Sequence, residues 1–531
     1  TNATMVDSDG LLKWRPHNNI TKSNTFSTWS KNSTIVDNAA VGPNGIANTA
    51  STVNFPSTTS YLYNLSTVAV SAGDKVTLAA WVRSDTITSL TFATNGRTNS
   101  ANNTSEANLA VTPTWTLVSF ESTVAGNDTG LFFMIGKYNP ASPASQIGDL
   151  ELYGAHIFRS DLGGMANNPD TNSSYVPTTN TNVYAPRRGH HVYNGSAWVN
   201  EGILHESEAR TNVFTYSSDL SNVVWGMVTS TTTANAGVSP SGLTDALRWE
   251  GTGSSTFYQS TAYIDTATYT VSCWVKSNGA SKDTFRLFGR DSYISADFTA
   301  TSDWVRYSFT FTTTQIASAS RQAGVARDTA GADTDLLLYG FQIELGSTPS
   351  SYIPTTSGAT VTRAAETLTV PAANLPYDST NMSIQMDGKM TYADTGVGAT
   401  TSNNVGEVTF VKWQEASTQF IGSVLNTNTS RVGQVSVRQR HPTGGFDEVT
   451  STVDAYTPDI NVPFNLAGRH GSTFINGAHN GTLLTANTTP TALPNLSSTD
   501  LELGSTFMGT IGQLLMWSDD LGDVGITEAS T

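Results

Sequence analysis

The only enzyme-like cluster in the sequence is the run V-S-V-R-Q-R-H at 435–441. Side chains alternate across a strand, so Arg438 and Arg440 share one face while Gln439 and His441 share the other. Gln, His and Arg gathered on one sheet can serve polysaccharide cleavage. A retaining glycosidase needs two carboxylates about 5 Å apart, and no E-x-D-x-x-E strand is present to carry them. The run therefore reads as a solvated polar strand. On that reading Arg438 and Arg440, with Trp413 at the end of the strand Val408 to Trp413, are candidates for ligand contact rather than for catalysis.

Two indoles stand beside cations, in W-V-R at 81–83 and W-V-K at 274–276. On the strand Tyr269 to Lys276, the side chains of Tyr269, Val271, Cys273 and Val275 point one way, and those of Thr270, Ser272, Trp274 and Lys276 the other. Trp81 and Trp274 could each stack on a sugar ring. Alternatively, each covers the second face of its sheet under a loop, with the cation as a cap. Preservation in two copies favours scaffold. Asp149 and Asp335 precede matching strands and are candidate ligands of a structural Ca²⁺, which takes several oxygens, backbone carbonyls included. The residues after them, Leu150 and Leu336, are not acidic, so a strand-entry turn is the simpler reading. Calcium is the one cofactor the sequence raises. Arg187-Arg188-Gly189-His190-His191 holds two adjacent histidines that alternate to opposite faces, too few for a metal site. Packing between domains or contact between subunits suits this run better. The single Cys273 excludes an intrachain disulfide. The matching residue in the other copy is Ala80, so Cys273 reads as a small buried side chain. No P-loop, dinucleotide fingerprint, zinc-protease helix or nucleophile elbow is found.

The elements that must position these residues are written twice. G-D-L-E-L-Y-G at 148–154 and S-S-Y-V-P-T-T at 173–179 return as T-D-L-L-L-Y-G at 334–340 and S-S-Y-I-P-T-T at 350–356. Trp81 matches Trp274, Trp115 matches Trp304, and Val41 to Gly45 matches Val238 to Gly242. The spacing between matches drifts by a few residues, as it does when a scaffold is kept and its loops change. Strands are expected at Val76 to Val82, Trp115 to Phe120, Leu131 to Ile135 and Leu150 to Ile157. In the second copy they fall at Tyr269 to Val275, Trp304 to Phe311 and Leu336 to Glu344. The last third does not match the repeat. Its strands are expected at Met382 to Met386, Val408 to Trp413, Gln434 to Arg440 and Leu501 to Gly504. A turn is expected at Gly468 to Gly471, and a short turn or helix closes the chain. Asp9-Gly10 marks a hairpin in the leader, and Asn194-Gly195 marks a two-residue hairpin turn between the copies. The division is a leader hairpin at 1–17, a first domain at 18–182, a linker hairpin at 183–207, a second domain at 208–365 and a third at 366–531.

Only 13% of the residues are charged and the formal net charge is −16. That disfavours nucleic acid and anionic membranes as partners, because phosphate binding needs clustered Lys and Arg. No apolar run is long enough to span a bilayer as a helix. The chain starts at Thr1 and reads as a processed protein or part of something longer. Neutral polar residues alternating with Val, Phe, Tyr and Trp suit strands with one wet face. The fold class is therefore all-β, with three sandwiches.

The segment from E-A-R-T-N-V-F-T-Y-S to L-L-Y-G-F-Q-I-E-L-G-S-T-P-S-S-Y-I-P-T-T-S-G-A-T-V-T-R-A-A-E, Glu208 to Glu366, resembles modules of tailed-bacteriophage structural proteins. Those modules are similar to carbohydrate-binding-module jelly rolls, and the first copy resembles them more loosely. The F-I-N-G segment and the closing I-G-Q-L-L-M-W-S-D-D-L give the last third a resemblance to concanavalin A-like (laminin-G-like) sandwiches. The resemblance implies tandem jelly-roll β-sandwiches followed by a concanavalin A-like β-sandwich, and a non-enzymatic place on the virion surface as a tail fibre, head fibre or capsid decoration. The expected partners are other virion proteins, host-surface glycans and further copies of the chain in a trimer. Two rival expectations stand beside it: a spacer or decoration without ligand, and a secreted bacterial protein that binds or degrades carbohydrate.

Overall fold

Runs of Thr, Ser and Asn between single Val, Leu and aromatic residues fold as antiparallel strands, because each apolar side chain finds a core on one face while hydroxyls and amides keep the other face wet. The computed structural model describes residues 2–137, 147–168, 173–261, 264, 266–279, 282–289, 293–313, 321–327, 333–392, 406–427 and 433–531. Among them the α-helices are Ser100–Asn103 and Gly522–Ala529, and no helix is long and apolar enough to cross a membrane.

The first sandwich packs two five-stranded sheets. One runs Thr116–Thr123, Lys75–Arg83, Gly148–Arg159, Ala50–Phe55, Thr34–Ala40; the other runs Ser105–Ala110, Ser89–Gly96, Leu131–Gly136, Tyr61–Ser66, Ser30–Lys31. The second sandwich repeats this order. Val305–Thr312, Thr268–Ser277 and Thr334–Leu345 replace the first three strands of one sheet, and Tyr293–Ile294, Thr284–Gly289 and Gln322–Arg327 those of the other. One difference sets the copies apart. Thr244–Ser260 is a single strand that pairs with Thr334–Leu345 through its first half and with Gln322–Arg327 through its second. It replaces two separate strands of the first copy and joins both sheets of the second.

The equivalence of the copies extends to single contacts. Trp81 lies opposite Tyr153 and Trp274 opposite Tyr339. The next residues, Gly154 and Gly340, have φ of 67° and 63°, and a Cβ there would meet the neighbouring indole at 3.1 and 2.9 Å. Only glycine gives both the left-handed turn and the close approach. Asn18 and Asn212 each donate their amide to two backbone carbonyls. Ser23 with Tyr175, and Ser217 with Tyr352, share hydroxyl bonds of 2.8 and 2.9 Å.

The third sandwich faces the six-stranded sheet Leu368–Val370, Leu501–Leu503, Glu407–Ala416, Gln419–Asn426, Val435–Arg440, Phe446–Thr450 against a seven-stranded one. The latter runs Arg187–Arg188, Ile203–Glu206, Met508–Trp517, Asn381–Tyr392, Asp459–Gly471, Ile475–His479, Thr482–Leu483. Its first two strands come from the segment between the repeats. Ile203 to Glu206 pairs with Ile511 to Met508, so this segment is an edge of the last sandwich as well as a connection. Two turns differ from expectation. Gly468 to Gly471 lies inside the strand Asp459–Gly471 rather than forming a turn. Tyr193 pairs with Trp198, leaving a loop of four residues instead of two. The cause is the Asn194 side chain, which accepts the amides of Ser196 and Ala197 and holds the wider turn.

A buried ion cluster ties the pieces together. Arg15 of the leader pairs with Glu366 at 2.9 Å, and Arg187 reaches Glu206 at 2.7 Å and Glu366 at 2.5 Å. Arg363 lies 3.2 Å from Glu206. Burial would raise the Glu206 carboxyl, but Arg363, Arg187 and the bonds from Ser351 hold it well below the usual range. Removing one member leaves its partners charged and buried, which costs about 3–5 kcal/mol. Arg187→Met should therefore lower unfolding stability by about that amount in urea titrations; an unchanged midpoint would refute the role given to this cluster.

Six histidines, His17, His156, His190, His205, His470 and His479, are held neutral by burial. His156 is lowered to about 4, and His190 and His470 to about 3. The unfolded chain takes up protons on these rings below about pH 6.5, while the folded chain does not, so stability falls as pH falls. The melting temperature should decline from about pH 6.5 downward, before the carboxylates begin to protonate near about 4.3. Differential scanning calorimetry across that window checks the slope.

Candidate functional site

Trp274 is placed by strand alternation on the outer face of its sheet, opposite Cys273 and its core neighbours. Its indole packs edge-on against Tyr352 at 5.2 Å and beside Tyr339 at 6.4 Å. Leu12 and Trp14 of the leader close over this cluster. The residue opposite Trp274 on the next strand is Arg306. Its guanidinium lies 4.8 Å from the indole centre and donates to the Ser350 carbonyl and the Ser272 hydroxyl. In the first copy the residue opposite Trp81 is Leu117, and Trp81 packs on Tyr153 and Tyr175. The indoles are thus scaffold in both copies, and the cation is the feature that diverged.

Arg306 borders a cleft of about 430 Å³ between the leader, the connecting hairpin and the second and third sandwiches. Aromatic side chains line it, Tyr352 among them. Trp274 and Trp304 come from the second sandwich, Tyr193 and Trp198 from the connecting hairpin. Tyr193 and Trp198 face each other at 5.4 Å, held by their direct opposition across the hairpin. The Trp304 indole donates to the Val238 carbonyl, which fixes its plane. From the third sandwich come Lys389, Thr391 and Asn461, and Lys389 meets Glu201 of the hairpin at 2.5 Å. His190 also lines the cleft and accepts the Val6 amide through Nδ1; burial holds it neutral.

The other residues singled out in the sequence fall elsewhere. Trp413 is fully buried and donates its indole N–H to the Thr499 carbonyl. The expectation of a sugar-stacking ring there is corrected, because apolar residues of both sheets enclose it. Arg438 is held by Glu407 and Glu448, each at 2.7 Å, and Arg440 donates to the Ser417 carbonyl. Gln439 is buried between the sheets and donates to Gly471 and Thr491 carbonyls, so the strand is solvated on one face only. Asp335 gives both carboxylate oxygens to Arg248 and also accepts from Asn278. That corrects the expectation of a calcium ligand there. Asp149 is exposed and accepts from Asn54. Among the described residues no group of three His, Cys, Asp or Glu could hold a metal ion. Arg187 is buried in the ion cluster of its own chain, which removes it from any contact between subunits. The burial of Cys273 pushes its thiol up.

The sheets define a protein of tandem jelly-roll sandwiches followed by a concanavalin A-like one. No protein-family model and no curated protein matches the sequence. Among solved structures, the chain is similar to the CBM22-1–CBM22-2 tandem of Paenibacillus barcinonensis Xyn10C, at 11% identity over 63% of this chain and 99% of that one, with a TM-score of 0.24. It is similar to the CBM40 of the Ruminococcus gnavus IT-sialidase, at 13% identity over 31% and 96%, with a TM-score of 0.23. It is also similar to domains LG4-5 of the mouse laminin alpha1 chain, at 8% identity over 55% and 89%, with a TM-score of 0.20. The fold assignment rests on the sheets themselves.

Two substitutions separate core from cleft. Trp413→Ala should cost about 3–5 kcal/mol of stability. Trp304→Ala, at a half-buried ring on the cleft wall, should cost far less. Urea titration of both variants checks the contrast, and equal losses would contradict the placement of Trp304.

Proposed function

We propose that the protein is a non-enzymatic surface protein of a phage virion, a fibre or capsid decoration, which attaches to host-surface glycans. The observation that carries this reading is the aromatic cleft with its charge-paired rim. Sugar C–H faces rest on indole and phenol rings, while hydroxyls pair with Lys, Glu, Thr and Asn. The resemblance of Glu208 to Glu366 to virion modules supports the location. A single such site binds at about millimolar, or roughly −4 kcal/mol, and repetition on a particle raises the avidity by about a hundredfold or more.

Self-association, as a trimer, belongs to the same reading. The strand Trp225–Val238 contains no charged residue, exposes Met227, Val228 and Val238, and on its outer side pairs with no strand among the described residues. An uncharged open edge is an invitation to another chain. A spacer without ligand is the second reading, favoured by the packing of Trp81 and Trp274 against their own tyrosines.

Adsorption of particles carrying Trp198→Ala and Trp304→Ala should fall at least about tenfold, the size of effect expected when aromatic anchors are lost. Polysaccharides incubated with the protein should remain uncleaved. Unchanged adsorption, with no signal on a host-surface glycan array, would leave only the spacer. Static light scattering should give the mass of three chains at micromolar concentration.

A further inference from the structure

The charges facing the cleft balance within it. Lys389 and Glu201 neutralise each other across 2.5 Å, while Glu206, a lining residue, is held by Arg187 and Arg363. Arg306 is committed to the Ser350 carbonyl, the Ser272 hydroxyl and the Trp274 face. A carboxylated or phosphorylated ligand would bring a charge with no free Lys or Arg to meet it among the described lining residues, and would approach Glu201 and Glu206. Burying such an unpaired charge is costly. A purely apolar ligand would strip water from the Lys389–Glu201 pair and return nothing.

The pair itself is a donor set beside an acceptor set. The ammonium offers N–H groups only, and the carboxylate offers oxygens only. Two hydroxyls on adjacent sugar carbons lie about one hydrogen-bond length apart. One can donate to the Glu201 carboxylate while the other accepts from Lys389, and each matches a charged group, which makes the bonds stronger than neutral ones. Tyr193 and Trp198 stand on the same hairpin as Glu201 and give the ring a surface to rest on.

Building on the glycan reading above, we infer that the cleft takes a neutral oligosaccharide, held by a vicinal diol on the Lys389–Glu201 pair with its ring against Tyr193 and Trp198. The pair spans the connecting hairpin and the strand Asn381–Tyr392 of the third sandwich. The ligand therefore bridges two parts of the chain that the ion pair already joins.

The test uses the full chain, titrated by calorimetry with neutral trisaccharides of glucose, galactose and mannose and with a trisaccharide of glucuronic acid. At least one neutral trisaccharide should saturate, and the acidic one should bind at least tenfold more weakly. Glu201→Gln and Lys389→Met should each weaken the neutral sugar at least tenfold without lowering the melting temperature by more than a few degrees. The double variant should be little weaker than either single one, because the two groups act on one diol. A deoxy analogue lacking one hydroxyl of the diol should bind the native protein as weakly as the full sugar binds Glu201→Gln. Tighter binding of the glucuronic acid trisaccharide would overturn the neutral class. Neutral binding that ignores Glu201→Gln and Lys389→Met would remove the cleft assignment while leaving glycan attachment intact. No binding by any member of the panel would overturn both.

Discussion

Two carboxylates, Glu206 and Glu366, hold three guanidiniums from three distant stretches of chain: Arg15, Arg187 and Arg363. Charges so buried persist only if each finds its opposite, since the interior solvates neither sign. That requirement makes the cluster a geometric constraint. The leader, the connecting hairpin, the end of the second sandwich and the edge of the third must meet at one point. Glu206 also lines the cleft, so the residues that set the cleft's shape are hung on the same charges. Arg15 is lowered to about 10, chiefly by burial and only partly offset by Glu366.

The duplicated sandwiches show what a scaffold keeps and what it releases. The Trp–Tyr–Gly arrangement, the Asn that reads two carbonyls and the Ser–Tyr bond are the same in both. Position 117 of the first copy and position 306 of the second are not. Leu117 leaves an apolar side chain 40% exposed, while Arg306 gives a cation stacked on an indole and bound to a neighbouring loop. The exchange sits where the second copy meets the leader and the hairpin, so the new surface is the one that a second domain made available.

Lys75–Arg83 was legible because buried positions recur along it at strand spacing, and Thr334–Leu345 because its short apolar run, buried from Thr334 to Glu344, stands out between turn residues. Trp225–Val238 and the middle of Thr244–Ser260 were not, since stretches of Thr, Ser, Asn and Gly carry no such pattern, and Thr34–Ala40 was not, since its apolar residues Ile35, Val36, Ala39 and Ala40 fall in adjacent pairs. Trp413 was misjudged because a lone indole at the end of a strand looks alike whether a second sheet covers it or water does. The cleft had no signature at all. Its walls come from residues near 5, 193, 274, 304, 389 and 509, and nothing local records that distance.

The pairing of Ile203–Glu206 with Met508–Trp517 has a consequence for how the chain is made. During vectorial synthesis the two repeats are complete long before the last strands leave the ribosome. The connecting hairpin must then wait with one edge unpaired and the Glu206 carboxylate without its final surroundings. Pairings this distant in sequence form slowly, because the chain between them must be closed first. The first sandwich can settle on its own, while the edge strand stays open to wrong partners until the C-terminal segment arrives.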